Sequence, residues 1–508
     1  MKENIDYTAV ELFSGPGGLA LGFHMAGFRS LAAYDYEQDC IDTYQANFQD
    51  TVVKQKNLAD FSESDLNELL DIIEKKTGNC NHKVSIVMGG PPCRSFSTSN
   101  PKKSHGDHRD LLYKQLIGVA DKLDAKYFLM ENVEDITTKS VEKDGEKKIF
   151  HCLLEDLYNS GFKYINFKVL NSDNYGIPQS RERLIIIATK DANIVLNFPN
   201  PETPDQNSKV NVLEAFQDLP RISAHLDDLR PGEDQKMIKA FKTDRTIYYC
   251  DSYKNEPIND YTRYCRGEKN SYGYRPFSWS KHNTDILSLF IVPNHQKRII
   301  QRYHLLNEGE TQGTLFKRLK NEKSFDEIEK LTKERVLPKK IFKQKNRRLF
   351  GNMPSNTVTS HAREELVHPL YNRNLTAREV ARLQSFPDWY QFKGVNQKPF
   401  KPSDESDLGT GRDFYQQIGD AVPPLLAAAI AKEIKKCLNT TKPALYGDFR
   451  EKLVRYIWES TVPIRDFNNS IQSEFKMELS DLLSGETYID TETINIITNK
   501  LNLDKIVK

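Results

Sequence analysis

The chain contains no apolar run long enough to cross a bilayer, and its mean hydropathy is −0.63. Its seven cysteines include no Cys-x-x-Cys pair, which argues against a disulfide framework and against a zinc site. Internal repeats and low-complexity tracts are absent as well. A strand pattern begins at Tyr7 and leaves no room for a signal peptide. These absences exclude a membrane-spanning protein and predict a protein of the reducing cytoplasm, where its thiols stay free.

The chain also lacks an excess of charge of either sign. Its 72 lysines and arginines oppose 71 aspartates and glutamates, so the net charge does not indicate a nucleic-acid binder. Local charge is more informative, because residues 333–348 form a basic run around Phe342. The run contains Lys339, Lys340, Lys343, Lys345, Arg347 and Arg348. It indicates either a solvated basic loop, which is the commoner case, or a stripe that contacts phosphates.

Strand and helix patterns alternate from Val10 to about Phe198, in a chain whose 508 residues suggest two or three domains. The predicted strands are Ala9–Phe13, Ser30–Asp35, Val84–Met88, Tyr127–Met130, Tyr164–Val169 and Leu184–Thr189. Helical periodicity is clearest at Gln38–Asn47 and Leu111–Leu123. Such alternation is typical of an α/β fold with a doubly wound, mostly parallel sheet.

The alternation stops at a proline-rich boundary near Pro199. Residues 200–355 are polar, tyrosine-rich and poor in periodicity, which predicts a second, smaller domain. Regular patterns return at Arg373–Phe386, an amphipathic helix with Thr376 as its expected N-cap and Glu379 three residues later. A further apolar helix is predicted over Val422–Ile434.

Residues 441–508 carry two apolar stripes at helical spacing. The stripes consist of Phe449, Leu453, Tyr456 and Ile457, and of Phe475, Leu479, Leu482 and Leu483. Stripes of this kind must be buried against some surface. They indicate either packing on the chain's own body or an accessory module for dimerisation or partner docking.

A glycine-rich turn, residues 13–18, joins the first predicted strand to a helix. Turns of this kind bind either dinucleotides or S-adenosylmethionine, and glycine spacing alone does not decide between them. Asp35 ends the second predicted strand, where a carboxylate can accept hydrogen bonds from ribose hydroxyls. A nicotinamide-dependent oxidoreductase is therefore a rival interpretation at this point, although nothing downstream supports it.

Cys93 ends the sequence Gly89-Gly90-Pro91-Pro92-Cys93, directly after the predicted strand Val84–Met88. Open α/β sheets place their chemistry just past the carboxyl ends of strands. The two glycines permit close approach of a ligand, and the two prolines stiffen the loop. The alternative is a free core cysteine on a tight turn. The presence of Glu131-Asn132-Val133, and of Gln179 followed by Arg181-Glu182-Arg183, favours a catalytic nucleophile.

These motifs, in this order from Val10 to about Ile430, resemble those of the C5-cytosine DNA methyltransferases. They are Glu11 to Gly18, Gly90 to Cys93, Glu131 to Val133, Gln179 to Arg183, Arg373 to Glu379 and Gln417 to Pro424. The resemblance implies a Rossmann-like domain that uses S-adenosyl-L-methionine, over residues 1–198 and completed by 415–440. It implies a target-recognition domain over residues 199–414, and it leaves 441–508 as a C-terminal helical extension.

The resemblance also implies a cofactor pocket, in which Phe13 and Tyr36 flank the adenine and Asp35 holds the ribose. The expected cofactor contacts are Glu11, Phe13, Gly15, Gly17, Gly18, Asp35, Tyr36, Asn57, Asp60, Pro91, Leu112, Asp420 and Ala421. Phe13 and Tyr36 could otherwise serve ordinary core packing. This sequence departs from the family pattern at two positions: Asn57, with Asp60 nearby, stands where an aspartate is common, and Asp420 replaces a commoner asparagine.

The chemistry of cytosine C5 explains the catalytic residue types. C5 is a poor nucleophile until a thiolate adds to C6, which assigns Cys93 as the nucleophile. Glu131 is expected to protonate or hydrogen-bond N3, and Arg183 to hold the O2 edge, with Arg181 steadying the pocket or the cysteine loop. The alternative to a catalytic role for residues 181–183 is a surface cluster of ion pairs. No residue is identified as the base that removes the C5 proton, so water could serve, and no metal is implied.

A cytosine in a duplex must be rotated out of the stack before its C6 is accessible. The segment from Arg94 to Arg109 predicts either a loop that closes over the flipped base or a plain surface loop. The expected DNA contacts are Arg94, Ser97, Lys339, Lys340, Lys343 and Thr357. Arg94 stands where many relatives carry glutamine.

The predicted function is therefore DNA cytosine-5 methylation of duplex DNA, with self-protection in a restriction-modification system as the default role and a cognate restriction endonuclease as a candidate partner. One alternative is a tRNA cytosine-5 methyltransferase, although the Cys-Phe-Thr signature of that branch is absent. Another is an inactive DNA-binding regulator, although Cys93, Glu131 and both arginines are intact.

Overall fold

The computed structural model of the chain describes most of its length. The described residues are 7–92, 111–140, 147–220, 222, 246–248, 253, 256–268, 287, 289–293, 295–342, 344–394, 413–440, 442–460 and 463–503. Four of the predicted site residues, Cys93, Arg94, Ser97 and Lys343, lie outside this set.

Seven strands form one sheet in the order β3-β2-β1-β4-β5-β7-β6. Their bounds are Thr8–Leu12 (β1), Arg29–Asp35 (β2), Val52–Gln55 (β3), Ile86–Gly89 (β4), Tyr127–Asn132 (β5), Tyr164–Asn171 (β6) and Glu182–Thr189 (β7). The first five strands are parallel, whereas β7 is antiparallel to both of its neighbours. The predicted α/β fold with a mostly parallel sheet is confirmed. Because β7 runs in the opposite direction, its first residues lie at the edge where β4 and β5 end.

Helices cover both faces of this sheet and continue beyond it. In the described ranges they are α1 (Gly18–Met25), α2 (Gln38–Asn47), α3 (Glu63–Thr77), α4 (Tyr113–Lys122), α5 (Ile149–Asn159), α6 (Val212–Phe216), α7 (Asp260–Arg266), α8 (Lys297–His304), α9 (Gln312–Glu322), α10 (Phe325–Lys333), α11 (Ala362–Glu365), α12 (Ala377–Leu383), α13 (Phe414–Asp420), α14 (Pro424–Asn439), α15 (Gly447–Glu459), α16 (Ile464–Phe475), α17 (Leu479–Ser484) and α18 (Thr491–Lys500). Among the helices described, none is long and apolar enough to span a membrane.

The alternation of side chains along β1 separates two hydrophobic cores. Ala9 faces a core shared with α1, α6, α7, α12 and α14, whereas Val10 and Leu12 face a core shared with α3, α4, α5 and α15. Helix α14 packs directly on α1, so residues 424–439 lie against the first helix of the chain. This close packing is visible at Gly22, where a Cβ would lie 2.4 Å from that of Ala427.

The described residues between 199 and 414 divide between two cores. Helices α6, α7 and α12 join the first sheet core. Helices α8, α9 and α10 enclose a smaller core of their own, which consists of Tyr303, Leu306, Leu315, Leu319, Leu337 and Val367. Two short strand pairs accompany them, Thr246–Tyr248 (β8) with Ile291–Pro293 (β9), and Arg347–Arg348 (β10) with Leu366–Val367 (β11). The segment is therefore more regular than its sequence pattern indicated.

Helix α12 begins as its sequence predicts. The Thr376 hydroxyl accepts the backbone N–H of Glu379 at 3.1 Å, and the Glu379 carboxylate accepts that of Thr376 at 2.8 Å. This reciprocal capping box satisfies two amides at the start of the helix. The helix is shorter than the predicted Arg373–Phe386, because Ser385 adopts a left-handed conformation (φ 62°) after it.

The C-terminal residues 442–503 pack on the sheet rather than standing apart. Helix α15 lies against α5, and α17 lies against β6. Leu453, Ile457, Leu482 and Leu483 are buried in the second core. Phe475 and Leu479 belong to two different helices, because Lys476 adopts a left-handed conformation between them. The apolar stripes are thus buried against the chain's own body, as the first interpretation expects.

Candidate active site

Three parallel strands bring the predicted motifs to one edge of the sheet. Leu12 of β1 pairs with Gly89 of β4, and Gly89 pairs with Met130 of β5. The residues that follow these three paired positions, Phe13, Gly90 and Glu131, therefore meet at the carboxyl edge. Position 89 must be glycine, because a Cβ there would lie 2.3 Å from the carbonyl oxygen of Leu12.

Glu131 and Arg183 form an ion pair at this edge. The distance from Arg183 Nε to Glu131 Oε1 is 2.9 Å, and the two side chains are only 13% and 12% exposed. The other carboxylate oxygen, Oε2, would lie 3.0 Å from a Cβ at position 90. Glycine at that position therefore lets the carboxylate lie against the Gly-Pro-Pro loop. Cys93 follows Pro92 directly in sequence but lies outside the described residues.

Arg181 points into the protein rather than toward Glu131. Its Nη1 donates to the Val358 carbonyl at 2.7 Å, and its Nη2 donates to the carbonyls of Gly419 and Ala421 at 3.0 and 3.3 Å. Burial, with the positive charge of Arg183 nearby, lowers the pKa of Arg181 to about 9. Its Nε has no hydrogen-bond partner among the described residues. Arg181 therefore holds distant chain segments together beneath the site.

The glycine-rich turn is enclosed on its inner side. Gly17 has a φ of 89°, and a Cβ there would lie 2.8 Å from the Tyr390 hydroxyl, which donates to the carbonyl of Pro16. A Cβ at Gly18 would lie 2.3 Å from the carbonyl of Val422, just before α14. A larger residue at Gly17 or Gly18 would displace the turn, so the two glycines let it lie close to Tyr390 and Val422.

The outer side of the turn has groups that suit an adenosine. Asp35 accepts the backbone N–H of Gly15 at 2.8 Å through Oδ2 and that of Glu37 at 2.9 Å through Oδ1. A carboxylate at this position has the acceptor chemistry that suits ribose hydroxyls. Phe13 and Tyr36 follow adjacent strands and are partly exposed, and the buried Ser14 Oγ has no partner among the described residues. An aromatic, hydrogen-bonding cradle of this kind fits the nucleoside of S-adenosylmethionine.

Glu11 lies beneath the turn and is almost fully buried. The hydroxyl of Tyr44 donates to its carboxylate at 3.0 Å. Burial raises the pKa of Glu11 to about 8, and the negative charge of Asp35 adds to this rise. The predicted contact of Glu11 with the cofactor's methionine end stays a prediction, and in this structure its carboxylate accepts hydrogen bonds from Tyr44 and from the backbone of Ala20.

The remaining predicted cofactor residues lie around the same edge. Asn57 Oδ1 accepts the backbone N–H of Ala59 at 3.1 Å, and its Nδ2 donates to Asp60 Oδ2 at 2.8 Å, so the two side chains act as a pair. Leu112 directly precedes α4, and Pro91 accepts a hydrogen bond from Asn132 at 3.4 Å. Asp420 is exposed at the end of α13, and Ala421 follows it.

The predicted DNA contacts fall into two groups. Lys339 and Lys340 are exposed, and the ammonium groups of Lys340 and Lys345 lie 5.3 and 5.1 Å from the Phe342 ring centre. Thr357 lies near the active site, where its hydroxyl donates to the Ser180 carbonyl at 2.9 Å.

Not every cation of the basic run is free for a phosphate. Lys345 pairs with Glu364, and Arg348 is buried, donating to the carbonyls of Leu306 and His368 at 3.1 and 2.9 Å. Arg348 thereby joins segments that surround the small core. Lys339 and Lys340 remain the candidates for contacts with phosphates.

Two buried glutamines were not assigned a role by the sequence. Gln179 and Gln384 hydrogen-bond to each other across 205 positions of the chain. Gln179 belongs to a recognised motif, but only its arginines suggested chemistry. In the described part of the chain, no group of three or more His, Cys, Asp or Glu side chains could hold a metal ion.

The fold is that of a methyltransferase. A solved structure of an E. coli prophage-encoded protein, described as a DNA modification methyltransferase, superposes with a TM-score of 0.58 at 23% identity, over 86% of this chain and all of that one. A sequence profile of the C-5 cytosine-specific DNA methylases matches residues 7–436.

Curated relatives agree with this profile. The chain is 30% identical to the type II methyltransferase M.DdeI of Desulfomicrobium norvegicum, over 91% of this chain and 96% of that protein. It is 28% identical to the type II methyltransferase M1.HphI of Haemophilus parahaemolyticus, over 86% and 88%. The chain therefore belongs to the C-5 cytosine-specific DNA methylase family. It is a DNA (cytosine-5)-methyltransferase of the type II restriction-modification kind.

Proposed function

We propose that this enzyme methylates C5 of a flipped-out cytosine, within a specific duplex site, through a covalent bond between Cys93 and C6. The observation that carries this proposal is the buried Glu131–Arg183 pair, 2.9 Å apart, against the Gly-Pro-Pro loop that leads to Cys93. A nucleophile, an acid and a cation are the groups that attack on C6 requires.

S-adenosyl-L-methionine would supply an electrophilic methyl group, whose bond to the sulfonium sulfur would break as C5 takes the methyl, so that the neutral thioether S-adenosyl-L-homocysteine leaves. Phe13 and Tyr36 would hold the cofactor's adenine, and the carboxylate of Asp35 would accept hydrogen bonds from its ribose hydroxyls. The Asn57–Asp60 pair offers a carboxylate near the adenine edge, while Leu112 and Pro91 would line the pocket. Glu11, Gly15, Gly17, Gly18, Asp420 and Ala421 would surround the amino-acid end.

The catalytic residues would then act on cytosine in a fixed order. The Cys93 thiolate forms a bond to C6, and the electron pair of the C5–C6 double bond becomes available at C5 for the new bond to methyl. Glu131 donates a hydrogen bond or proton to N3 as charge builds there, while Arg183 donates to O2. Removal of the C5 proton, to water or another base, returns its electron pair to the C5–C6 bond as the sulfur–C6 bond breaks. The thiolate is thereby regenerated, and a proton that N3 received returns to the carboxylate of Glu131.

Recognition of DNA is assigned to residues 199–414. Lys339 and Lys340 would contact phosphates, with Lys343, while Thr357 would contact the target strand near the site. Arg94 and Ser97 would act close to the flipped base. The exposure of the two described lysines and the position of Thr357 beside the arginine motif support this division.

The biological role would be protection of cytoplasmic DNA from a cognate restriction endonuclease. Transfer of labelled methyl groups to duplex DNA and to tRNA, measured side by side, tests the proposed substrate. We expect labelled methyl groups to appear in the duplex as 5-methylcytosine and not to appear in tRNA. Incorporation into tRNA alone would overturn the proposal in favour of the RNA-modifying branch.

A further inference from the structure

Gln384 lies at the C-terminal end of α12 and has no exposure to solvent. Its amide nitrogen donates to the carbonyls of Ile418 and Ala421 at 3.0 and 2.8 Å. Its amide oxygen accepts a hydrogen bond from the amide nitrogen of Gln179. Both hydrogens and the oxygen of the side-chain amide therefore form hydrogen bonds, and their partners lie on two segments that are distant in sequence.

Gln179 extends the same set of contacts. Its amide oxygen accepts the backbone N–H of Val358 at 2.7 Å, and its nitrogen also donates to the Leu383 carbonyl at 3.1 Å. Arg181 donates to carbonyls of the same segments, at Val358, Gly419 and Ala421. We call Gln179, Arg181 and Gln384 the buried amide cluster.

The buried amide cluster connects three segments with different proposed tasks. Residues 179–183 carry Arg183, residues 355–360 carry Thr357, and residues 418–421 carry Asp420. The segments already touch, because a Cβ at Gly419 would lie 2.2 Å from the carbonyl oxygen of Thr359. Since the cluster is closed to solvent, a shift of one segment would leave buried amide or carbonyl groups without a partner. The three segments are therefore expected to move together.

We infer that Gln384 is a positioning residue for methyl transfer, which fixes the cofactor-binding segment at Asp420 relative to the base-binding side chain of Arg183. The inference rests on the proposed roles of these two residues. Gln384 itself touches neither substrate in this assignment. Its effect is on the distance between the two bound substrates, and displacements of about 1 Å can slow an enzyme roughly 100-fold.

The test compares two variants, in each of which an apolar side chain of similar shape replaces a buried side-chain amide. Gln384→Met removes the hydrogen bonds to Ile418 and Ala421 while keeping the length of the side chain. Asn166→Leu is the matched control, because the buried Asn166 amide likewise donates to two carbonyls, of Leu196 and Ser480, at 2.7 and 2.8 Å. Asn166 lies on β6 beneath the C-terminal helices, away from the cluster.

Three quantities are measured for each protein: the melting temperature, the single-turnover methylation rate constant with saturating duplex, and the Kd for S-adenosyl-L-homocysteine with and without duplex. Both variants should melt at a lower temperature than the wild type. For Gln384→Met the rate constant should fall about 10- to 100-fold. Its Kd for S-adenosyl-L-homocysteine without duplex should change less than about 3-fold. Any decrease in this Kd that duplex causes should become smaller, because the coupling between the two binding sites is reciprocal and the variant weakens it. Asn166→Leu should keep the wild-type rate constant and coupling.

Equal rate constants for Gln384→Met and Asn166→Leu would overturn the inference and leave the cluster a purely structural element. A loss of affinity without duplex as large as the loss of rate would also overturn it, since Gln384 would then act on cofactor binding alone. If Gln384→Met does not fold, Gln384→Asn replaces it, because its amide is polar but one methylene too short for both carbonyls. A wild type that transfers no methyl group to duplex defeats the proposed function, and the inference falls with it.

Discussion

Arg183 Nε lies 2.9 Å from Glu131 Oε1, although the two residues belong to different strands that run in opposite directions. Glu131 is near the end of β5, and Arg183 is near the start of β7. Only the antiparallel direction of β7 brings these two positions to the same edge of the sheet. The pair is mostly buried, so loss of one partner leaves an uncompensated charge at the proposed cytosine site.

Replacing Arg183 should abolish most of the methylation activity without weakening the binding of the cofactor. For Arg183→Leu we expect the single-turnover rate constant to fall about 100- to 1000-fold, because a donor to the developing charge on the base is lost. The affinity for S-adenosyl-L-homocysteine, measured by calorimetry, should stay within about 3-fold. Glu182→Ala is the control, since Glu182 is the exposed neighbour in the same motif. A variant at Arg183 with wild-type activity would remove this residue from the mechanism.

Glu11 should make the stability of the enzyme depend on pH. Its pKa is raised from an ordinary 4.5 to about 8, so the folded state holds a proton that the unfolded state has released between these values. The free energy of unfolding therefore decreases as the pH rises through this window, by at most about 1.4 kcal/mol per pH unit, and levels off above it. Glu11→Gln keeps the shape of the side chain and removes this dependence.

Chemical denaturation of both proteins from pH 5 to pH 9 checks the effect of Glu11. The free energy of unfolding of Glu11→Gln minus that of the wild type should increase with pH and become constant above about 8. The buried His24, whose pKa is lowered to about 4, titrates in both proteins and cancels in the difference. A difference that does not change with pH would contradict the account of Glu11.

The C-terminal helices should be required for folding. Arg450 on α15 is buried and donates to the carbonyls of Leu483, Ala192 and Ile194 at 3.0, 3.3 and 3.4 Å, so it joins the extension to the segment after β7. Arg450→Met should lower the free energy of unfolding by roughly 2–4 kcal/mol, because three carbonyls lose their donor. Truncation after Leu438 should give insoluble protein. A soluble, active truncated enzyme with a changed oligomeric state would instead support a docking module.

Lys339 and Lys340 should contribute to DNA affinity without choosing the sequence. Replacing both by glutamine should reduce the slope of log K against log salt by about 1.8, and weaken binding equally for cognate and unrelated duplexes. Lys333→Gln is the control, because this exposed lysine already pairs with Glu329 on α10. An unchanged slope would mean that the pair belongs to a solvated loop.

The parts of this enzyme that the sequence predicted are those with local or chemical signals. Thr376 and Glu379 formed the capping box that their spacing indicated. The strands β1, β2, β4 and β5 were predicted because buried parallel strands are continuous apolar runs. The site motifs were predicted because the reaction restricts their residue types and the family fixes their order.

Other features had no such signal. A strand's periodicity does not give its direction, so the reversal of β7, which places Arg183, was not predictable from residues 182–189 alone. The short edge strand β3 is half-exposed and was missed. Gln384 bridges residues far apart in sequence, and its role follows only from contacts. By contrast, α10 could have been found, because Ser324 and Glu327 have the spacing of a capping box.

The proposed covalent bond between Cys93 and the target cytosine can be trapped on a duplex with 5-fluorocytosine at the target position. Fluorine at C5 cannot leave as a proton does, so the bond from sulfur to C6 should persist after methyl transfer. In the presence of S-adenosyl-L-methionine we expect a protein–DNA complex that survives denaturant with the wild type and is absent with Cys93→Ala. A methylating Cys93→Ala enzyme, or an active wild type that forms no such complex, would contradict the account.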